Sequence, residues 1–208
     1  MSQDKKDSSK DASPASKKSE IGTILAGRYE VLRELGRGGM GVVYLCRDVV
    51  TQDRVALKRL RPPEESKSTR QEESWWFQQE ARAVASLDHP AIVRARDFGT
   101  LHDGSPYLVM DALPGRSVHE WMHTTTMPWP VIWSLVDQVL AGLAHAHARG
   151  VIHRDIKPSN IMLTQDSDVR IIDFGIALVA DSDISRIEGI AGSPSYMSPE
   201  QVQSLDLT

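Results

Sequence analysis

His153-Arg154-Asp155-Ile156-Lys157-Pro158-Ser159-Asn160 sets a carboxylate, an ammonium and a carboxamide within one short stretch. An H-R-D tripeptide alone is common by chance; with Lys157 and Asn160 at these intervals it is not. Each residue type has chemical work to do. Asp155 can accept a proton from a hydroxyl or orient it, Lys157 can neutralise a phosphate in transfer, and Asn160 can offer an oxygen to Mg²⁺. Downstream, Asp173-Phe174-Gly175 follows the apolar run Val169-Arg170-Ile171-Ile172. Taken alone it reads as a strand-end Asp-x-Gly turn. Taken with Asn160, Asp173 completes an oxygen-rich Mg²⁺ site.

Working upstream, Gly36-Arg37-Gly38-Gly39-Met40-Gly41 has the spacing G-x-G-x-x-G. Alone it is equally a functionless turn. A dinucleotide-binding version needs a helix after the last glycine, whereas Val42-Val43-Tyr44 continues as a strand. The glycines therefore fall at a hairpin tip, where missing side chains let backbone close over phosphates. Val55-Ala56-Leu57-Lys58 puts a lysine inside an apolar strand. It either snorkels to the surface or is buried and needs anionic partners, with phosphates and Glu80 on offer. Glu80 shares an apolar helix face with Phe77 and Val84, where an unpaired carboxylate is costly.

The elements around these motifs are legible from periodicity. Strands are predicted at 28–36, 42–48, 53–60, 92–99 and 106–111, with a helix over 69–87 carrying Phe77, Ala81, Val84 and Leu87 on one face. Leu113-Pro114-Gly115 is a connector, followed by a short helical stretch near 117–123. Residues 130–149 form the clearest helix, with an apolar stripe of Ile132, Leu135, Val136, Val139, Leu140 and Leu143, ended by Gly150. Short β segments follow at 161–163 and 169–172, then a polar stretch over 179–195. Residues 1–20, almost wholly Ser, Lys, Asp and Ala, are expected to form a disordered tail.

Composition narrows the class. With 40 % hydrophobic and 25 % charged residues the chain is ordinary for a globular protein. A net charge of −4 offers no basic footprint for nucleic acid. The lone Cys46 excludes an internal disulfide, no apolar run is long enough for a membrane span, and a cytoplasmic location is the default expectation. His145 and His147 point to different sides of a helix and do not suggest a metal site.

In this order and spacing the motifs resemble the protein kinase family over residues 28–208, and GRYEVLRELGRGGMGVVYLCRD, HRDIKPSNIML and SPEQ look most like eukaryotic-like bacterial serine/threonine kinases. Ser198-Pro199-Glu200 stands where the family has A-P-E. The resemblance implies an α+β, two-lobed fold. Its N-lobe, 28–111, would hold five antiparallel strands and one helix; its C-lobe, 112–208, would be mainly helical. It implies ATP and Mg²⁺ as ligands and Ser/Thr hydroxyls of protein substrates as acceptors. Asp155, Lys157, Lys58 and Glu80 would be the catalytic set, and Asn160 and Asp173 the metal ligands. The glycine loop, Gly36 to Gly41 with Arg37, Gly38, Gly39 and Met40, would cover the phosphates. Val43, Ala56 and Met162 would sandwich the adenine, Met110 would be the gatekeeper, and backbone of Asp111 and Leu113 would bind the adenine edge. Val84, His153 and Phe174 would stack in a hydrophobic spine. Arg154 would receive a phosphate from an activation segment whose Ser182 and Ser185 are the expected sites, with Ser193 facing Asp155 and Lys157.

The sequence departs from the family at its end. Leu205-Asp206-Leu207-Thr208 comes directly after the A-P-E-like segment, where the family continues through further helices. The expectation is a C-lobe left incomplete, with the stripe at Ile132, Leu135, Val139 and Leu143 uncovered, Glu200 buried without its arginine, and self-association as one way to cover the stripe. A nucleotide-binding interaction module, or a truncation product without catalysis, stands as the alternative to an active kinase.

Overall fold

The computed structural model describes residues 20–38, 41–61, 77–79, 81–174 and 194–203. An antiparallel sheet of six strands comes first: β1 (Ile24–Leu25), β2 (Tyr29–Gly38), β3 (Gly41–Asp48), β4 (Arg54–Leu60), β5 (Ala95–Thr100) and β6 (Pro106–Asp111), in the order β1-β2-β3-β4-β6-β5. The five expected strands are all present. The sixth, β1, is two residues long, too short to leave a periodic signature. Residues 77–79 and 81–85 are helical.

Period-two alternation sorts the sheet into two faces. Tyr44, Cys46, Val55, Leu57, Tyr107 and Val109 pack with Tyr29 and Val31 in one cluster. Ala56, Leu60, Leu108 and Met110 join the other, which also contains Phe77, Ala81, Val84, Val139, Ile161, Ile171 and Phe174. Lys58 lies between Ala56 and Leu60 on β4 and so faces this second cluster, opposite Val43 in the β3–β4 register. Alternation alone thus aims the lysine away from the outer side of the sheet.

After the connector, β7 (Arg116–Ser117), β8 (Ile161–Leu163) and β9 (Val169–Ile171) form a small sheet. Gly115 holds φ +145°, and a Cβ there would stand 2.5 Å from the Leu163 carbonyl, so a glycine is required for the close approach. Helix α1 (Val118–Thr124) is capped by the Ser117–Glu120 capping box. Helix α2 (Trp129–His147) is the long helix expected at 130–149, and Gly150 past its end has φ +73°. Gly142 lets α2 approach Ile171 Cδ1 to 3.0 Å and Ala91 Cβ to 3.3 Å, measured from where its Cβ would be. The loop at 91–93 is stitched to β9, with Ile171 N–H donating to Ala91 O and Val93 N–H to Ile171 O. Helix α3 (Pro199–Val202) closes the described chain.

The uncovered face of α2 is not the one expected. Val139 is buried, and Leu135 and Leu143 pack against the core. Exposure falls on Trp129, Trp133, Val136 and Leu140. The stripe is wide enough to be split, and the small sheet and the 91–93 loop take its Val139 side. Glu200 is exposed rather than buried, because it sits in the solvent-facing first turn of α3. The tail boundary was expected at residue 20, and Glu20 itself pairs with Arg59; residues 1–19 lie outside the described residues.

Candidate functional site

The site draws its residues from the second face of the sheet, the 153–160 loop that leads into β8, and the residues that follow β9. Gly36 pairs with Val43 and Gly38 with Gly41 across the hairpin, whose Gly39 and Met40 lie outside the described residues. Register shifts between Val31 and Arg33 and between Glu34 and Gly36 bend this hairpin. Gly41, at φ +149°, has no room for a Cβ against the Arg59 carbonyl. Arg37 is held by Glu34 at 2.6 Å. Below the hairpin, Val43 is half-buried, Ala56 and Met110 are register partners and buried, and Leu113 packs against the same cluster. Met162 lies on β8, half-buried. The Asp111 N–H donates to Arg94 O, and its carboxylate accepts from Arg96.

Lys58 is 7 % exposed, and its Nζ lies 2.9 Å from Asp173 Oδ1. Glu80, the partner expected for this lysine, lies outside the described residues, so the observed counterion is Asp173. Asp173 itself is in the left-handed region, φ +61°, an uncommon conformation for a residue with a Cβ.

The 153–160 loop is built around Asp155. Its Oδ2 accepts from Asn160 Nδ2 at 2.9 Å and from Lys157 Nζ at 2.7 Å, and its carbonyl accepts from the same Asn160 amide at 2.8 Å. Asn160 is buried in a 3-10 turn, Pro158–Asn160, and its carbonyl accepts from Ile172 N–H. His153 is 1 % exposed. Its Nε2 meets Ile172 O at 2.8 Å and its Nδ1 accepts from Asp155 N–H at 3.2 Å, a pairing that requires the neutral Nε2–H tautomer. Burial lowers its pKa, reinforcing that form. Its ring lies 4.6 Å from that of Phe174, within the cluster that includes Val84.

A hard cation fits this donor set. Asn160 commits Nδ2 to Asp155, which leaves its carboxamide oxygen for ligation, and Asp173 supplies a carboxylate a short distance along the chain. Among the described residues no group of three or more His, Cys, Asp or Glu forms a closed metal cage. Mg²⁺ characteristically takes one or two carboxylates and fills its octahedron with phosphate and water. A separate cavity of about 300 Å³, lined by Trp121, Met127, Val131 and Leu163 among others, contains none of the expected site residues.

Sequence reasoning missed one contact. Gln201 Nε2 donates to Arg154 O at 2.7 Å, linking α3 to the 153–160 loop. The legible signal was Ser198-x-x-Gln201, a capping box, which the structure forms. Gly175, Ser182, Ser185 and Ser193 lie outside the described residues.

The family described as protein kinase domain matches residues 29–208. The chain is 38 % identical over 185 residues to serine/threonine-protein kinase pkn2 of Myxococcus xanthus, covering 86 % of this chain and 22 % of that protein. It is 36 % identical over 187 residues to serine/threonine-protein kinase PrkC of Bacillus subtilis, covering 88 % and 28 %. The crystal structure of the Mycobacterium tuberculosis PknI kinase domain matches with a TM-score of 0.69 at 32 % identity, over 89 % of this chain and 69 % of that one. The chain therefore spans only about a quarter of the length of these two curated relatives. Among the described residues, no helix is long and apolar enough to cross a membrane.

Proposed function

The chain belongs to the protein kinase family, and from that premise we propose that it transfers the γ-phosphate of ATP to Ser/Thr hydroxyls of proteins with Mg²⁺. The observation that carries the reading is two ion pairs, Lys157–Asp155 within the loop that holds Asn160, and Lys58–Asp173, whose aspartate directly follows Ile172, a residue bonded through its backbone to Asn160 and His153 of that loop. Such a cluster has both the anion-binding and the cation-binding halves of a phosphoryl-transfer site.

In this reading the adenine lies between Val43, Ala56 and Met162, beside Met110, with its edge on backbone of Asp111 and Leu113. Backbone of the 36–41 hairpin covers the phosphates, and Lys58 holds them. Mg²⁺, when bound by Asn160 and Asp173, supplies charge neutralisation at the phosphate oxygens. Asp155 orients the acceptor hydroxyl and takes its proton as the hydroxyl oxygen forms a bond to the γ-phosphorus. The bond from that phosphorus to the bridging oxygen breaks, and ADP leaves with the electron pair. Lys157, bound to Asp155, stands where it can neutralise the group in transfer.

The test is transfer of labelled γ-phosphate from ATP to a generic basic protein by residues 1–208, with Asp155→Asn as control. Transfer that requires Mg²⁺ and disappears in the control is expected. Nucleotide binding without any transfer would identify an interaction module instead.

A further inference from the structure

We propose that Gln201 is a positioning residue for Asp155, acting through the Arg154–Asp155 peptide; the inference rests on the phosphoryl-transfer reading for its consequence, not for its geometry. Arg154 has φ +64°, in the left-handed region that a residue with a long side chain rarely occupies. Such a conformation persists where its surroundings over-determine it. Here both polar ends of the following peptide unit are held. The Arg154 carbonyl accepts from Gln201 Nε2 at 2.7 Å, and the Asp155 N–H donates to His153 Nδ1 at 3.2 Å. With both ends fixed, rotation of the peptide plane breaks one bond or the other. That plane sets the direction in which Asp155 leaves the backbone.

Gln201 is itself held. Its Oε1 accepts from Ser198 N–H at 3.1 Å, and its own N–H donates to Ser198 Oγ at 3.5 Å. One carboxamide therefore uses its oxygen to cap α3 and its nitrogen to brace the loop 47 residues away in sequence. The His153 end of the brace continues to Ile172 O, next to Asp173. Displacing α3 pulls on the Arg154 carbonyl, so the placement of residues 198–203 is transmitted to the orientation of the proton acceptor.

The two roles of the side chain separate by substitution. Gln201→Glu keeps an oxygen for Ser198 N–H, since S-x-x-E is an equally good capping box, but faces the Arg154 carbonyl with an acceptor. Gln201→Met removes the donor without adding charge and takes the capping oxygen with it, so the Glu variant isolates the donor. In the 208-residue chain, the readouts are amide exchange at Asp155, the melting temperature, and kcat and KM for Mg–ATP. Gln201→Glu is expected to keep the melting temperature, Gln201→Met to lower it slightly through the lost cap on Ser198 N–H, and both to exchange the Asp155 amide about tenfold faster. Both should lower kcat by roughly 10- to 100-fold, with KM for Mg–ATP unchanged, the signature of a misaligned group rather than a lost binding contact. Unchanged Asp155 exchange in Gln201→Met, or a loss confined to KM, overturns the proposal. A wild-type chain that transfers no phosphate sinks the functional reading alone. The exchange comparison then still decides whether Gln201 fixes the peptide.

Discussion

Lys58 Nζ and Asp173 Oδ1 are 2.9 Å apart, so the strand-borne cation and the turn-borne carboxylate neutralise each other across the site. The lysine is almost fully buried, and removing a charge from water is tolerated only with such a partner. Under the proposed chemistry the two separate, the ammonium taking the phosphates and the carboxylate the cation. Lys58→Met should therefore lower phosphoryl transfer by roughly a hundredfold or more. The melting temperature should change little, because Asp173 is part-exposed and is rehydrated on losing its partner. Steady-state rates and a thermal melt on the same preparation check both halves.

Asp173→Asn tests the other side of the pair. Mg–ATP should raise the melting temperature of the wild-type chain by mass action, since it binds the folded state. The variant should lose most of the Mg²⁺-dependent part of that rise while keeping the part produced by ATP with EDTA. An undiminished Mg²⁺-dependent shift would remove Asp173 from the metal set.

His153 gives a pH dependence with a fixed sign. Burial holds its pKa below the ordinary 6.5, so the folded chain keeps it neutral while the unfolded chain takes up a proton. The unfolded state then binds more protons on the acid side. Stability should be full above about pH 6.5 and fall as pH drops below it. His145, also shifted down, contributes in the same direction. His153→Tyr keeps an aromatic ring beside Phe174 and removes the titration. Its melting temperature should depend less steeply on pH between about 5 and 7 than that of the wild type.

Arg154 carries a further expectation. Its Nε is buried and has no hydrogen-bond partner among the described residues. A phosphate arriving on the segment between Asp173 and Glu200 would satisfy it with a charge-assisted bond. Ser185 is the first choice of site and Ser182 the second. Phosphopeptide mapping after incubation with Mg–ATP should find one of them modified, and Ser185→Ala with Ser182→Ala should remove that phosphate.

How far these features could be read from sequence depended on how local their cause was. The strands of β2 to β4 were legible because Val31, Val42, Tyr44, Cys46, Val55 and Leu57 alternate with residues facing the other way. Asp155, Lys157 and Asn160 were legible because one tight loop holds all three. The Lys58–Asp173 pair was not, since it joins residues far apart in the chain. The Gln201 brace was hidden for the same reason: its cap on Ser198 is local, its bond to Arg154 is not. The exposed side of α2 depended on which neighbours pack against Val139, information that no helical period contains.

That exposed side sets the last expectation. Trp129, Trp133, Val136 and Leu140, spaced by four, three and four residues, lie on one stripe of α2, with Trp129 71 % and Trp133 68 % exposed. A contiguous apolar strip of this kind favours association between molecules in water. The 208-residue chain should therefore show concentration-dependent association by light scattering. Trp133→Gln with Leu140→Lys should reduce it, at a cost to stability within about 0.5 kcal/mol per site, because neither side chain contributes to the core. Val139→Asp, one residue from Leu140 but buried in the same cluster as Ile171, should destabilise the fold by more than about 3 kcal/mol. If instead Leu140→Lys unfolds the chain as Val139→Asp does, the assignment of the two sides of α2 is wrong. A monodisperse monomer at high concentration would show that the strip alone does not drive association.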